Sequence, residues 1–285
     1  MPVTIHPNSS MGTVHLTVAD LGRSLDYYQH GIGLALHRQE GNIAALDAGG
    51  PDLLILTEQP GARPARGVTG LYHFALLLPS RLELARTLKH LLDSHTPIGG
   101  ASDHAVSEAL YLTDLDGNGI EIYRDRRRDE WQRVNGQIQI VTRPLDLGGV
   151  LGELDSQDAS WQGLHPQTRM GHVHLHVSDL QQAVDFYTQT LGFDFIAYYG
   201  DSAGFVSAGG YHYHLGLNTW AGVGAPPPSP DAARLLWYTI QSPNATALAQ
   251  LVQHIRATGY PVEEHGNDSF LHDPAENGIR LTVQT

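Results

Sequence analysis

Val14, Leu16 and Val18 alternate with Thr13, His15 and Thr17, the period-two pattern of a strand with one buried face. Asp20 follows where a helix N-cap belongs, and Leu21, Leu25 and Tyr28 then share one helical face up to Gly33, a residue suited to ending a helix. The series returns without a gap at a constant offset of 159 positions. Gly12, Val14, Asp20, Tyr28 and Gly33 recur as Gly171, Val173, Asp179, Tyr187 and Gly192. Strand-like runs follow in both places, broken by Gly49-Gly50 and Gly209-Gly210, so the unit is βαβββ.

A second such unit follows the first in each half. Leu71–Leu78 reads as a strand, Arg81–Leu92 as a helix, and Leu110–Tyr123 as a hairpin around Asp116-Gly117-Asn118-Gly119. Its counterpart spans Leu235 to Val283, where Asp273, Asn277, Gly278 and Ile279 repeat Asp114, Asn118, Gly119 and Ile120. The chain is therefore expected to be α+β, with four βαβββ copies in two duplicated domains. Residues 9–125 form the first domain and residues 170–285 the second. Residues 126–169 have no repeat partner; they read as a polar connection with one short helix near Leu145–Leu154.

Composition narrows the function classes. The 285 residues include no cysteine, which removes disulfides, zinc-thiolate sites and cysteine nucleophiles. A formal charge of −13 argues against nucleic acid and membrane surfaces as partners. The first residues have neither a basic region nor an apolar core, so no signal peptide is expected and the cytoplasm is the expected location. The basic run Arg124, Arg126, Arg127 and Arg128 near Trp131 is expected to form interdomain or subunit salt bridges. Seventeen histidines equal the Lys+Arg total, which makes their positions the next question.

Equivalent positions in the four copies sharpen that question. The second copy carries His73 on its first strand and Glu121 on its last, and the third carries His172 on its first. The matching places in the first and fourth copies hold Thr13, Trp237 and Arg280. A lone strand histidine is commonly a hydrogen-bonded core residue, but two His and one carboxylate at matched positions point to one metal ion. His174 and His176 share the alternation of His172, and His15 repeats His174 in the copy without ligands, so these read as structural.

The duplicated βαβββ pattern with these three positions resembles the vicinal oxygen chelate superfamily, which includes glyoxalases and extradiol dioxygenases. The stretches Thr69-Gly70-Leu71-Tyr72-His73-Phe74-Ala75, Asp103–Tyr111 and Gly209–His214 resemble bacterial catechol 2,3-dioxygenases. The resemblance implies mixed curved sheets enclosing a metal-binding cleft, with His73, Glu121 and His172 as ligands to Fe(II) and Mn(II) as the other candidate. It implies a catechol or substituted catechol as substrate and O₂ as co-substrate. Tyr111 would hydrogen-bond substrate or the reacting oxygen, His104 would line the substrate pocket, and His212 or His214 would be the acid/base, His214 being favoured. These two histidines are expected on one face of a strand. A homodimer is the expected assembly. Two other classes stay open: an oxygen-independent metalloenzyme of glyoxalase or thiol-transferase type, and a metal-free protein that binds small aromatics. The third copy's last strand contains no acid, which counts against a glyoxalase.

Overall fold

The computed structural model describes residues 4–134, 137–155 and 160–284. Met1–Val3, residues 135–136 and 156–159 of the connection, and Thr285 lie outside the described residues. Ser10–Val18 is a strand, and Val14, Leu16 and Val18 are fully buried. Asp20 caps the next helix by accepting the Arg23 N–H at 2.9 Å, and Asp179 accepts from Gln182 in the same way. Both helices widen after six residues. Leu21–Asp26 and Leu180–Asp185 are α-helical, whereas Tyr27–Ile32 and Phe186–Thr190 are π-helical. Apolar spacing over so few residues fits either winding, so only the structure distinguishes them.

The chain gathers into two compact units. One contains the chain up to Thr17, Ala62–Tyr72 and everything from Gly171; the other contains Val18–Gly61 and His73–Met170. In the first unit, Ser10–Val18 pairs antiparallel with Leu235–Ser242 of the fourth copy, Val14 opposite Tyr238. Leu235–Ser242 runs parallel to Gly278–Val283, beyond which Asp268–His272 and Glu263–His265 continue antiparallel. Arg169–His176 of the third copy runs parallel to Leu215–Asn218, followed antiparallel by Ala203–Ser207 and Asp194–Tyr199. In the second unit, the strand Gly70–Leu78 runs parallel to Gly119–Asp125 from His73 onward, followed by Ser107–Thr113 and Gly100–Asp103. Leu54–Glu58, Ile43–Asp47 and Ala35–Glu40 form an antiparallel run there. The fold is α+β with mixed sheets and repeated βαβββ copies.

The helix of the second copy, Arg81–Asp93, starts at a Ser80 cap that accepts the Glu83 N–H, and it buries Leu84, Leu88 and Leu91. Its counterpart Ala245–Ala257 starts at Asn244 and buries Leu248, Leu251 and Ile255. Two buried nodes tie helices to hairpin turns. Asp114 accepts from the Tyr28 hydroxyl at 2.7 Å and from the Asn118 side chain at 2.9 Å. Asp273 repeats this with Tyr187 and Asn277, both at 2.9 Å, and the Tyr187 hydroxyl also meets that of Tyr238 at 2.8 Å.

The connection contributes packed structure to the second unit. Leu147–Leu151 is its helix, within the expected stretch, and Arg143–Pro144 pairs with Asp103 and Ser102. Gly33 sits at φ +94°, and a Cβ there would collide with the Trp161 ring, which stacks on His90 at 4.2 Å. The basic run corrects an expectation. Arg124 and Arg126 bind Glu108, Arg126 also binds Asp103, and Arg127 pairs with its neighbour Asp129, so these ion pairs lie within the unit. The reason is Glu108: a carboxylate buried there needs nearby cations, and its own hairpin together with Arg81 at 2.9 Å supplies them. No helix among the described residues is long and apolar enough to cross a membrane.

Candidate metal centre

The parallel pairing of Gly70–Leu78 with Gly119–Asp125 sets His73 opposite Gly119 and Ala75 opposite Glu121. His73 Nε2 lies 3.1 Å from Glu121 Oε2, and both side chains are buried. An ionised carboxylate so buried is costly unless a positive charge compensates it. Tyr111 stands opposite Glu121 in the antiparallel register, and its hydroxyl lies 2.6 Å from His104 Nε2.

In the other unit, His172 is fully buried on Arg169–His176, with Nε2 3.0 Å from the Tyr213 hydroxyl and its ring 6.4 Å from that of His212. His214 Nδ1 accepts the Ala208 N–H at 3.1 Å and lies 3.0 Å from the Ser207 hydroxyl. The expectation that His212 and His214 share a strand face is overturned. The strand begins only at Leu215, and 211–214 is an irregular approach to it, so alternation does not govern where these rings point.

One ligand atom from each of His73, Glu121 and His172 lies within 4.8 Å of the other two. Two buried imidazoles and a carboxylate form a donor set that fits a divalent ion such as Fe(II) or Mn(II). A second group, His37, Asp47 and Asp52, is more open, and the Arg38 guanidinium already neutralises Asp52 at 2.5 Å. The fourth copy shows how ligands are lost. Trp237, Arg280 and Phe270 stand in register where the second copy has His73, Glu121 and Tyr111. Arg280 binds Asp268 at 2.6 and 2.9 Å and lies 5.2 Å over the Trp237 ring. His15 meets Trp237 edge-on at 4.9 Å, and burial together with Arg280 lowers its pKa to about 4. A fixed guanidinium repels any metal cation from that copy.

Comparison with known proteins identifies the family. The family model for the Glyoxalase/Bleomycin resistance protein/Dioxygenase superfamily matches residues 10–122 and 169–274. The chain belongs to this superfamily. A Catechol-2,3-dioxygenase of Bacillus subtilis (strain 168) is 46% identical over 284 residues, covering 98% of each chain. Among solved structures, a chain from Bacillus subtilis subsp. subtilis str. 168 aligns with TM-score 0.67 at 14% identity, covering 99% of this chain and 86% of that one. Glyoxalase I from Zea mays aligns with TM-score 0.58 at 17% identity, covering 97% and 92%. At these identities the structural matches speak for the fold alone.

In this superfamily member, His73, Glu121 and His172 each offer one ligand atom to the same group, Tyr111 and His104 lie beside Glu121's strand, and the His212 ring lies 6.4 Å from that of His172. His174 and His176 fit structural roles. His176 Nδ1 lies 2.7 Å from the Asn218 side-chain oxygen, and His174 packs against Tyr72 and Trp220. Sequence reasoning passed over Tyr213 and Val141. Strand alternation would turn Tyr213 away from His212, and Val141 meets His104 Nδ1 through its backbone carbonyl, which leaves no residue-type signal.

Proposed function

We propose that the protein is an extradiol dioxygenase that opens the ring of catechol or a substituted catechol with O₂. In this reading His73, Glu121 and His172 hold Fe(II), with Mn(II) as the alternative ion. The carrying observation is the buried two-histidine, one-carboxylate set in a chain 46% identical to a Catechol-2,3-dioxygenase. The bound ion supplies a positively charged centre with open positions at which a vicinal diol and O₂ meet. Glu121 offsets that charge with a buried carboxylate. Tyr111 orients the substrate's oxygen from the neighbouring strand.

His212 takes a hydroxyl proton from the diol and later returns it, a role for which imidazole is suited near neutral pH. Its ring lies 6.4 Å from that of His172, which supports this role. His214 Nδ1 accepts a backbone N–H, so its neutral ring carries the proton on Nε2 and serves as a donor. The repeat halves 9–125 and 170–285, joined by 126–169, are the proposed units of duplication, in a protein expected to work in the cytoplasm, with a homodimer as the expected assembly.

The test is oxygen uptake by anaerobically Fe(II)-loaded protein on adding catechol, with absorbance followed for a yellow ring-opened product. Stoichiometric uptake with that colour, lost in Glu121→Ala, is the expected result. Retained uptake in Glu121→Ala would overturn the ligand assignment. Tightly bound metal with no uptake on any catechol would overturn the dioxygenase reading in favour of oxygen-independent chemistry.

A further inference from the structure

The fourth copy presents a row of side chains in register on one sheet face. Thr239 stands opposite Arg280 in the parallel pairing, and Phe270 stands opposite Arg280 on the antiparallel side. Trp237 lies two residues before Thr239, so strand alternation turns it to the same face. In the second copy these places hold Ala75, Glu121, Tyr111 and His73. Between the duplicates a carboxylate has become a guanidinium, and the place of Ala75 has gained a hydroxyl. The charge that would attract a cation is reversed.

These polar groups are not used up within the fold. Asp268 accepts from Arg280 Nε and Nη2 through a single oxygen, Oδ2. Both hydrogens of Nη1 and one of Nη2 then have no hydrogen-bond partner among the described residues. Arg280 lies 5.2 Å over the Trp237 ring, which leaves the edge of the guanidinium for an acceptor, and its side chain is 27% exposed. Thr239 is only 1% exposed, and its Oγ1 has no hydrogen-bond partner among the described residues. Leaving a buried hydroxyl unsatisfied costs free energy, which a polar atom from outside the chain recovers. Phe270 and Trp237, half-buried and edge-on at 6.2 Å, flank these donors with apolar rings. We infer that this face of the fourth copy binds a small aromatic carboxylate. The carboxylate takes the open side of the Arg280 fork and the Thr239 hydroxyl, and the ring lies against Phe270 and Trp237. A phosphate would satisfy the same donors but leave both aromatic side chains without a partner. None of the proposed metal ligands takes part, so this site stands whether or not the dioxygenase reading does.

The full chain is titrated with benzoate at pH 7.5 and followed by proton–nitrogen NMR of the four tryptophan indoles, with Trp237 assigned from Trp237→Phe. A saturable shift of the Trp237 signal, larger than those of the other three, is expected. Benzyl alcohol keeps the ring without the charge, and inorganic phosphate keeps charge without the ring. Each should bind at least about tenfold more weakly than benzoate. Arg280→Ala should weaken benzoate about tenfold or more, and Arg280→Lys should recover only part of that, because an ammonium cannot fork. Thr239→Val, of nearly the same shape and with every ion pair intact, should weaken it about fivefold. No saturable Trp237 shift in the wild type would overturn the inference, as would unchanged benzoate affinity in Thr239→Val or Arg280→Ala. Phosphate or benzyl alcohol binding as tightly as benzoate would overturn the ligand class.

Discussion

His15 occupies the place that His174 holds in the third copy, but its surroundings make it a pH-dependent contributor to stability. Its folded pKa of about 4 lies below the ordinary imidazole value of 6.5, so the folded state favours the neutral ring. Its contribution is full above pH 6.5 and is lost as pH falls from there toward 4. The loss should amount to about 1–3 kcal/mol, allowing for partial solvent screening. Urea denaturation at pH 7.5 and pH 5 should show that His15→Gln loses this part of the pH dependence; an unchanged difference would refute it. Ala105, at φ +64°, gives a second expectation at this scale. Ala105→Gly should relieve left-handed strain and stabilise the protein by up to about 1 kcal/mol, read as a raised urea midpoint. At this scale His73, Glu121 and His172 were legible because the copies could be compared position by position. The choice between His212 and His214 was not, since the strand whose alternation would have oriented them starts only at Leu215.

Among the elements, strands and caps were readable because they depend on local period and single residues such as Asp20, Ser80 and Asn244. The π-helical turns were not, because a few apolar residues cannot separate two helical pitches. Nor was the partnership of each helix tyrosine with an aspartate 86 residues downstream. The motif Asp273-x-x-x-Asn277 looked like turn chemistry alone, yet it also anchors the Tyr187 hydroxyl. Tyr187→Phe should cost about 1–3 kcal/mol, because Asp273 loses a donor inside the core. Chemical denaturation checks this, and a loss under 0.5 kcal/mol, as estimated for surface changes, would contradict it. Burial raises the pKa of Asp273, so folding favours its protonated form. That contribution is present at low pH and declines as pH rises through the folded value, opposite in sign to the His15 effect.

For the whole molecule, the proposed ligands at positions 73, 121 and 172 would make metal binding a constraint on fold as well as a requirement for chemistry. Metal that binds only the folded state at a hundred times its Kd adds about 2.7 kcal/mol, or roughly 5–10 °C in Tm. Thermal unfolding with Fe(II) or Mn(II) under anaerobic conditions should show this rise in wild type and in Arg280→Ala. Glu121→Ala should show none; a full rise there would contradict the ligand set.

The pairing of Ser10–Val18 with Leu235–Ser242 also bears on how the protein is made. The first strand leaves the ribosome more than two hundred residues before the strand that covers its edge. At ordinary synthesis rates that interval is roughly 10–45 seconds, during which an apolar strand lacks this native neighbour. Thr13, His15 and Thr17, interleaved with its valines and leucine, are what the nascent strand offers to water meanwhile. Completion of this sheet is therefore a late event of biosynthesis, reached only when the fourth copy arrives.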